Sequence, residues 1–80
     1  MLNIKNYITI NPEILGGQPV FKNTRVTVQT LFDHLEKGET LDSFLMDFPT
    51  VTKEQSVAVI EIAAKLMSAG NLIKLYETAA

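Results

Sequence analysis

The side chains with the most chemical reach in this chain are few, and their spacing argues against catalysis. His34 is the only histidine, and Asp33 stands beside it. Consecutive helical residues do not face one another, so this pair cannot orient an imidazole for general-base work. No second histidine and no cysteine is present, so no metal site is expected and no disulfide framework can form. Gly16-Gly17 lacks the GxGxxG spacing and no Lys-Ser/Thr pair follows it, so a phosphate cradle is not expected. The pattern reads as a non-catalytic chain without a cofactor. Arg25, the only arginine, is the remaining candidate. Its planar fork can clamp a phosphate or a partner carboxylate, and it can equally anchor a loop to a nearby acid or carbonyl.

Charge says more than any single residue. Residues 1–30 carry Lys5, Lys22 and Arg25 against Glu13, a net of +2. Residues 31–80 carry four lysines against eight acids, a net of −4. A domain that grips nucleic acid without sequence preference is usually clearly basic. The acidic half suits a basic protein partner instead. Eighty residues make one domain, 1–80, whose chain buries only ~60% of its unfolded surface. Hydrophobic content of 46% and charge of 20% fit a folded chain with a core. The start, Met1-Leu2-Asn3-Ile4-Lys5, has no signal-peptide pattern, and no apolar run approaches the ~20 residues of a membrane span. The expectation is a soluble cytoplasmic protein with no membrane partner.

The elements that would position these groups follow from periodicity. Leu2, Ile4, Ile8 and Ile10 alternate with polar residues and Tyr7, which predicts a strand ended by Asn11-Pro12. After the Gly16-Gly17 turn, Pro19-Val20-Phe21 reads as a strand, and Lys22-Asn23-Thr24 turns it back into Arg25-Val26-Thr27 as a small hairpin. From Thr27 the period becomes helical. Thr27 caps a helix with Val28, Leu31, Phe32 and Leu35 on one face and Gly38 past its end. Thr40 caps a second with Leu41, Phe44, Leu45 and Phe48, which Pro49 stops. Thr52-Lys53-Glu54-Gln55 forms a capping box for a third helix running to about Ser68. Gly70-Asn71 is expected to break the chain before Leu72, Ile73, Leu75 and Tyr76, an apolar tail over 71–80 too short to be a helix without packing. The fold class is thus mainly α: a trihelical, helix-turn-helix-like domain with a short N-terminal strand and a small β-hairpin.

In a helix-turn-helix the third helix enters the major groove by its N-terminal residues, here Thr52, Lys53, Gln55 and Ser56, with Arg25 as a further DNA contact. Against this, Glu54 sits among them and the helix is charge-neutral; the rival is a trihelical fold used for protein contacts. From Val57 to Met67 only Glu61 and Lys65 are charged, so the third helix has more apolar surface than two neighbouring helices and a hairpin cover. A homodimer is therefore expected, with Ile60 and Met67 in its interface.

The run from Ile10 through Pro12-Glu13, Gly16-Gly17-Gln18-Pro19 and Asn23-Thr24-Arg25-Val26 to Val28 resembles the opening signature of the domain-of-unknown-function 433 family. Gly38-Glu39-Thr40-Leu41, Asp47-Phe48-Pro49 and Thr52 to Gln55 resemble its second signature. The likeness covers about residues 8–67. Asn23 stands where that family usually has glycine, and asparagine is the next-best residue for a left-handed turn. The resemblance implies a trihelical domain behind short strands. It also implies a small prokaryotic protein encoded beside a PIN-like nuclease and acting as the antitoxin that neutralises it. The expected partners are therefore a PIN-like nuclease toxin and operator DNA; the apolar tail residues Leu72, Ile73, Leu75 and Tyr76, outside the shared region, are expected to hold the toxin, the alternative being that the tail packs on its own core or on a dimer mate. The alternatives are a stand-alone helix-turn-helix regulator and a structural module of a larger complex.

Overall fold

The computed structural model describes residues 3–79. Two strands, β1 (Ile8–Thr9) and β2 (Val20–Phe21), precede four helices: α1 (Val28–Glu36), α2 (Leu41–Asp47), α3 (Lys53–Leu66) and α4 (Ala69–Thr78). Short 3-10 turns occupy Ile4–Asn6 and Leu15–Gly17.

The strand region is shorter than its alternation suggests, and it is joined differently. Leu2 lies outside the described residues. Asn3 accepts the Lys5 backbone N–H through its side chain at 3.0 Å, which turns Ile4–Asn6 into a 3-10 helix. That local bond outcompetes the ladder, as short polar side chains do near chain turns. The partner of β2 is β1, antiparallel, with Ile8 opposite Phe21 and Thr9 opposite Val20. The hairpin leg at Arg25-Val26-Thr27 is reduced to one bridge between Val20 and Thr27 and a Phe21 N–H bond to the Val26 carbonyl at 2.9 Å. The turn itself forms as its residues dictate: Asn23 is left-handed at φ 64°, and the Thr24 hydroxyl donates to the Phe21 carbonyl at 2.8 Å. Gly16 and Gly17, at φ 68° and 87°, occupy the left-handed positions that reverse the chain between the strands.

Three threonine caps start α1, α2 and α3. Thr27, Thr40 and Thr52 accept the backbone N–H of Thr30, Ser43 and Gln55 at 3.2, 3.0 and 3.1 Å. The Gln55 side chain returns the bond to the Thr52 N–H at 2.9 Å, completing the capping box. Phe21, Leu31, Phe44, Val51 and Val59 form the buried core, each from a different element or turn. Phe44 is its aromatic centre, with its ring 6.0 Å from Phe21 and 5.1 Å from Phe48. Ile8, Val26, Val28, Phe32, Leu35 and Leu41 close over it from the strands and helices.

The C-terminal segment departs most from expectation. Gly70 and Asn71 do not interrupt structure; they lie in the first turn of α4. Glycine costs a helix backbone entropy rather than a hydrogen bond, so Gly70 weakens α4 without breaking it. Asn71 then gains a specific role: its side-chain amide donates to the Leu66 carbonyl at 2.9 Å, satisfying one of the orphan acceptors at the end of α3. The two helices meet at a 53° bend. No residue of α4 is buried. Among the described residues no single helix is long and apolar enough to cross a membrane.

Candidate interaction surfaces

Three surfaces result. The first is the N-terminal end of α3, where DNA contacts were expected. Thr52 and Lys53 are exposed there, and Arg25 is exposed in a cleft it shares with Thr9, Asn23, Thr24 and Thr50. Among the described residues Arg25 has no carboxylate within ion-pair distance, so its fork is not spent on a structural anchor to an acid. Gln55 and Ser56 are corrections. Ser56 is 0% exposed and its hydroxyl donates to the Thr52 carbonyl at 3.2 Å. It stands three residues before Val59 on the core-facing side of α3, which places it inside the fold. Gln55 is half-buried with both ends of its amide engaged, the oxygen by the Thr52 N–H and the nitrogen by the Lys22 carbonyl at 2.9 Å. Neither side chain is free to read a base. The Gln55–Lys22 bond instead ties the 22–25 turn to the start of α3, so Lys22, Arg25 and Lys53 border one edge.

The second surface is at α1 and α2. Here the structure assembles what sequence neighbours could not. His34 Nε2 lies 3.1 Å from an Asp47 carboxylate oxygen and 3.4 Å from one of Glu39. The three donor atoms fall within 4.8 Å of one another, the spacing at which such groups can hold a cation. The imidazole is held edge-on to Phe44 and Phe48, both at 5.6 Å, and Ser43 donates to Glu39 at 3.2 Å. Asp33, the sequence neighbour, instead accepts from the Gln29 amide at 2.9 Å. The 13-residue separation of His34 and Asp47 arises from α1 and α2 packing on each other across the Gly38 turn. The only sequence signal for it was that glycine, at φ 83°, ending one helix just before a threonine cap starts the next. Asp33, Glu36, Glu39, Asp42 and Asp47 are all exposed in this region against Lys37 alone.

The third surface is the arm made by the end of α3 and α4. Leu66, Met67, Leu72, Ile73, Leu75 and Tyr76 are all exposed, and Tyr76 reaches 85%. Leu72, Ile73, Leu75 and Tyr76, the expected partner contacts, lie together on the open surface of α4 with Glu77 and Ala79. The two residues expected in a dimer interface part company. Ile60 is half-buried and packs on the core of its own chain, so it is a correction: little of it is left to offer. Met67, at the end of α3, is exposed.

Helices, caps and turn together define the class: a small, mainly helical domain behind a short two-stranded antiparallel sheet. The chain belongs to the DUF433 family, described as a protein of unknown function, whose signature matches residues 8–63. The crystal structure of a DUF433 member protein from Anabaena variabilis is similar, with a TM-score of 0.68 and 31% identity. The likeness covers 78% of this chain and 61% of that one, so this chain spans under two thirds of the relative's length. No curated protein matches the chain. The family match ends inside α3, so the last turn of that helix and all of α4 lie beyond it.

Proposed function

We propose that the protein is an antitoxin-type partner of a PIN-like ribonuclease, cytoplasmic, homodimeric and without chemistry of its own. The observation that carries this reading is the distribution of charge. The whole net −4 of residues 31–80 falls on Asp33, Glu36, Glu39, Asp42 and Asp47 with Lys37, while Lys53, Lys65 and Lys74 balance Glu54, Glu61 and Glu77. A ribonuclease must present a basic groove to hold RNA, and an acidic face is the natural competitor for such a groove. The test is co-expression with the product of the adjacent reading frame, expected to be a PIN-like nuclease. Rescue of growth is expected, and Asp33→Asn combined with Glu36→Gln and Asp42→Asn is expected to abolish it while the thermal midpoint holds. Rescue that survives the triple substitution at high nuclease levels removes the charge-led reading. Failure of the unmodified chain to bind that nuclease removes the antitoxin reading altogether.

The Lys22–Arg25–Lys53 edge supports a second reading, operator binding through phosphates, shared with a stand-alone regulator. Lys53→Ala is expected to weaken binding to every sequence alike and to reduce the salt slope by about one. No shift of the chain's own promoter at low salt, with or without the nuclease, sinks that reading.

A further inference from the structure

We infer that His34, Glu39 and Asp47 form a site for a divalent transition cation of the zinc class, which clips the end of α1 to the end of α2. The inference stands apart from the nuclease reading, since it needs only this chain and the ion.

The fold gathers the three donors from separate places. His34 lies in the last turn of α1, and Asp47 is the last residue of α2. Glu39 sits between the helices, fixed by its own N–H bond to the His34 carbonyl at 3.1 Å. The imidazole is 19% exposed, and its edge-on contacts with Phe44 and Phe48 hold the plane of the ring. A metal-binding histidine needs such fixed orientation, which here comes from two aromatic rings. Nε2 is the nitrogen that meets both carboxylates, 3.1 Å from Asp47 and 3.4 Å from Glu39.

That spacing fits a small ion. Bonds of about 2.1 Å at tetrahedral angles set neighbouring ligand atoms about 3.4 Å apart. Both nitrogen–oxygen separations are already close to this value. The two oxygens lie within 4.8 Å of each other, and both carboxylates are exposed, so a side-chain rotation can close the third edge. Charge points the same way. Nε2 carries at most one hydrogen, so it serves one carboxylate fully at a time. Among the described residues no lysine or arginine lies within ion-pair distance of either acid. Two negative groups thus converge where one proton satisfies only one of them and a divalent ion would satisfy both.

Donor chemistry selects the ion. One imidazole nitrogen with two carboxylate oxygens suits zinc and its first-row neighbours. Calcium takes about six to eight oxygens, and magnesium keeps an octahedral shell of oxygen ligands; this set supplies neither.

The test uses the full chain without an affinity tag, so that His34 is the only imidazole in solution. Zinc chloride alone is titrated by calorimetry and by proton NMR of that ring. One ion per chain is expected, with the His34 ring signals moving in step and the thermal midpoint rising by about 4 °C or more at saturating zinc. His34→Gln is expected to abolish binding. Asp47→Asn and Glu39→Gln, at exposed positions that leave the core intact, are each expected to weaken it at least about tenfold. The Asp33→Asn, Glu36→Gln and Asp42→Asn variant that tests the nuclease reading is expected to change zinc affinity less than about threefold, because those exposed charges act only through screening solvent. Zinc that moves no imidazole signal overturns the inference and leaves the triad an ion pair of the folded chain. Binding that survives both Asp47→Asn and Glu39→Gln also overturns it, and so does binding that the triple variant weakens as far as Asp47→Asn does. An equal response to magnesium at the same concentration overturns it as diffuse attraction to an acidic face.

Discussion

Residues 8–63 and the arm that follows them use similar side chains to opposite ends. In the first region each large apolar residue of the core has neighbours from several elements: Phe44 meets Phe21 from the sheet, Phe48 from the cap of its own helix and His34 from α1. In the second, leucines, an isoleucine and a tyrosine stand in an equally regular row with nothing of their own chain over them. Helical periodicity is therefore a statement that a face will be covered, and it leaves open by which molecule. The family signature follows the same division, ending where self-coverage ends.

The contrast can be broken most violently from the core side. Phe44→Ala removes a fully buried ring from the centre of a small core, at a cost of about 3–5 kcal/mol. That is comparable to the whole stability expected of a domain this size, so urea titration followed by circular dichroism should find it largely unfolded. Cutting the chain after Ala69 is the matching operation on the arm. It removes more side chains than Phe44→Ala, yet the shortened chain should keep its urea midpoint, because no residue of α4 is buried. A midpoint that collapses on truncation would show that α4 belongs to the fold.

Smaller effects sharpen the boundary. Thr52→Ala should cost about 1 kcal/mol through loss of the α3 cap. Gln55→Ala should cost about as much, because it leaves the Thr52 N–H and the Lys22 carbonyl without their partner. If Gln55→Ala instead leaves stability unchanged and alters DNA preference, its amide is a reading group after all. His34→Ala should cost about 1 kcal/mol, chiefly through its two edge-on aromatic contacts. The same measurements on Lys53→Ala should show no change in stability, since Lys53 is exposed and its effect is reserved for salt-dependent binding.

What could be read beforehand was whatever local chemistry decides. The caps at Thr27, Thr40 and Thr52, the left-handed Asn23 and the stop before Pro49 each depend on residues within four positions. All appear where their spacing puts them. What escaped depended on distance or on a neighbour's demand. Ser56 looks like a surface serine until Val59 fixes which side of α3 faces inward. Gln55 looks free until the Lys22 carbonyl arrives from 33 residues away. His34 finds Asp47 only after two helices have packed. Gly70-Asn71 misleads for another reason: the composition of a breaker is also that of a tight helix start, and the Leu66 carbonyl decides between them.

That last bond has a mechanical meaning. The two-residue junction between α3 and α4 is held by the Ser68 N–H bond to the Lys65 carbonyl at 3.1 Å and by one solvent-exposed side-chain bond, Asn71 to Leu66, an interaction of about 1 kcal/mol. The α4 helix is a rod of about 15 Å. A rotation of about 10° at the junction carries its tip some ~3 Å, nearly the width of a methylene group. Asn71 is therefore a steering pin: with the Ser68–Lys65 backbone bond, its amide at the root of the rod fixes where Tyr76 is delivered. Exchanging it for alanine should leave the globular part untouched and spread the delivery point over a range of positions.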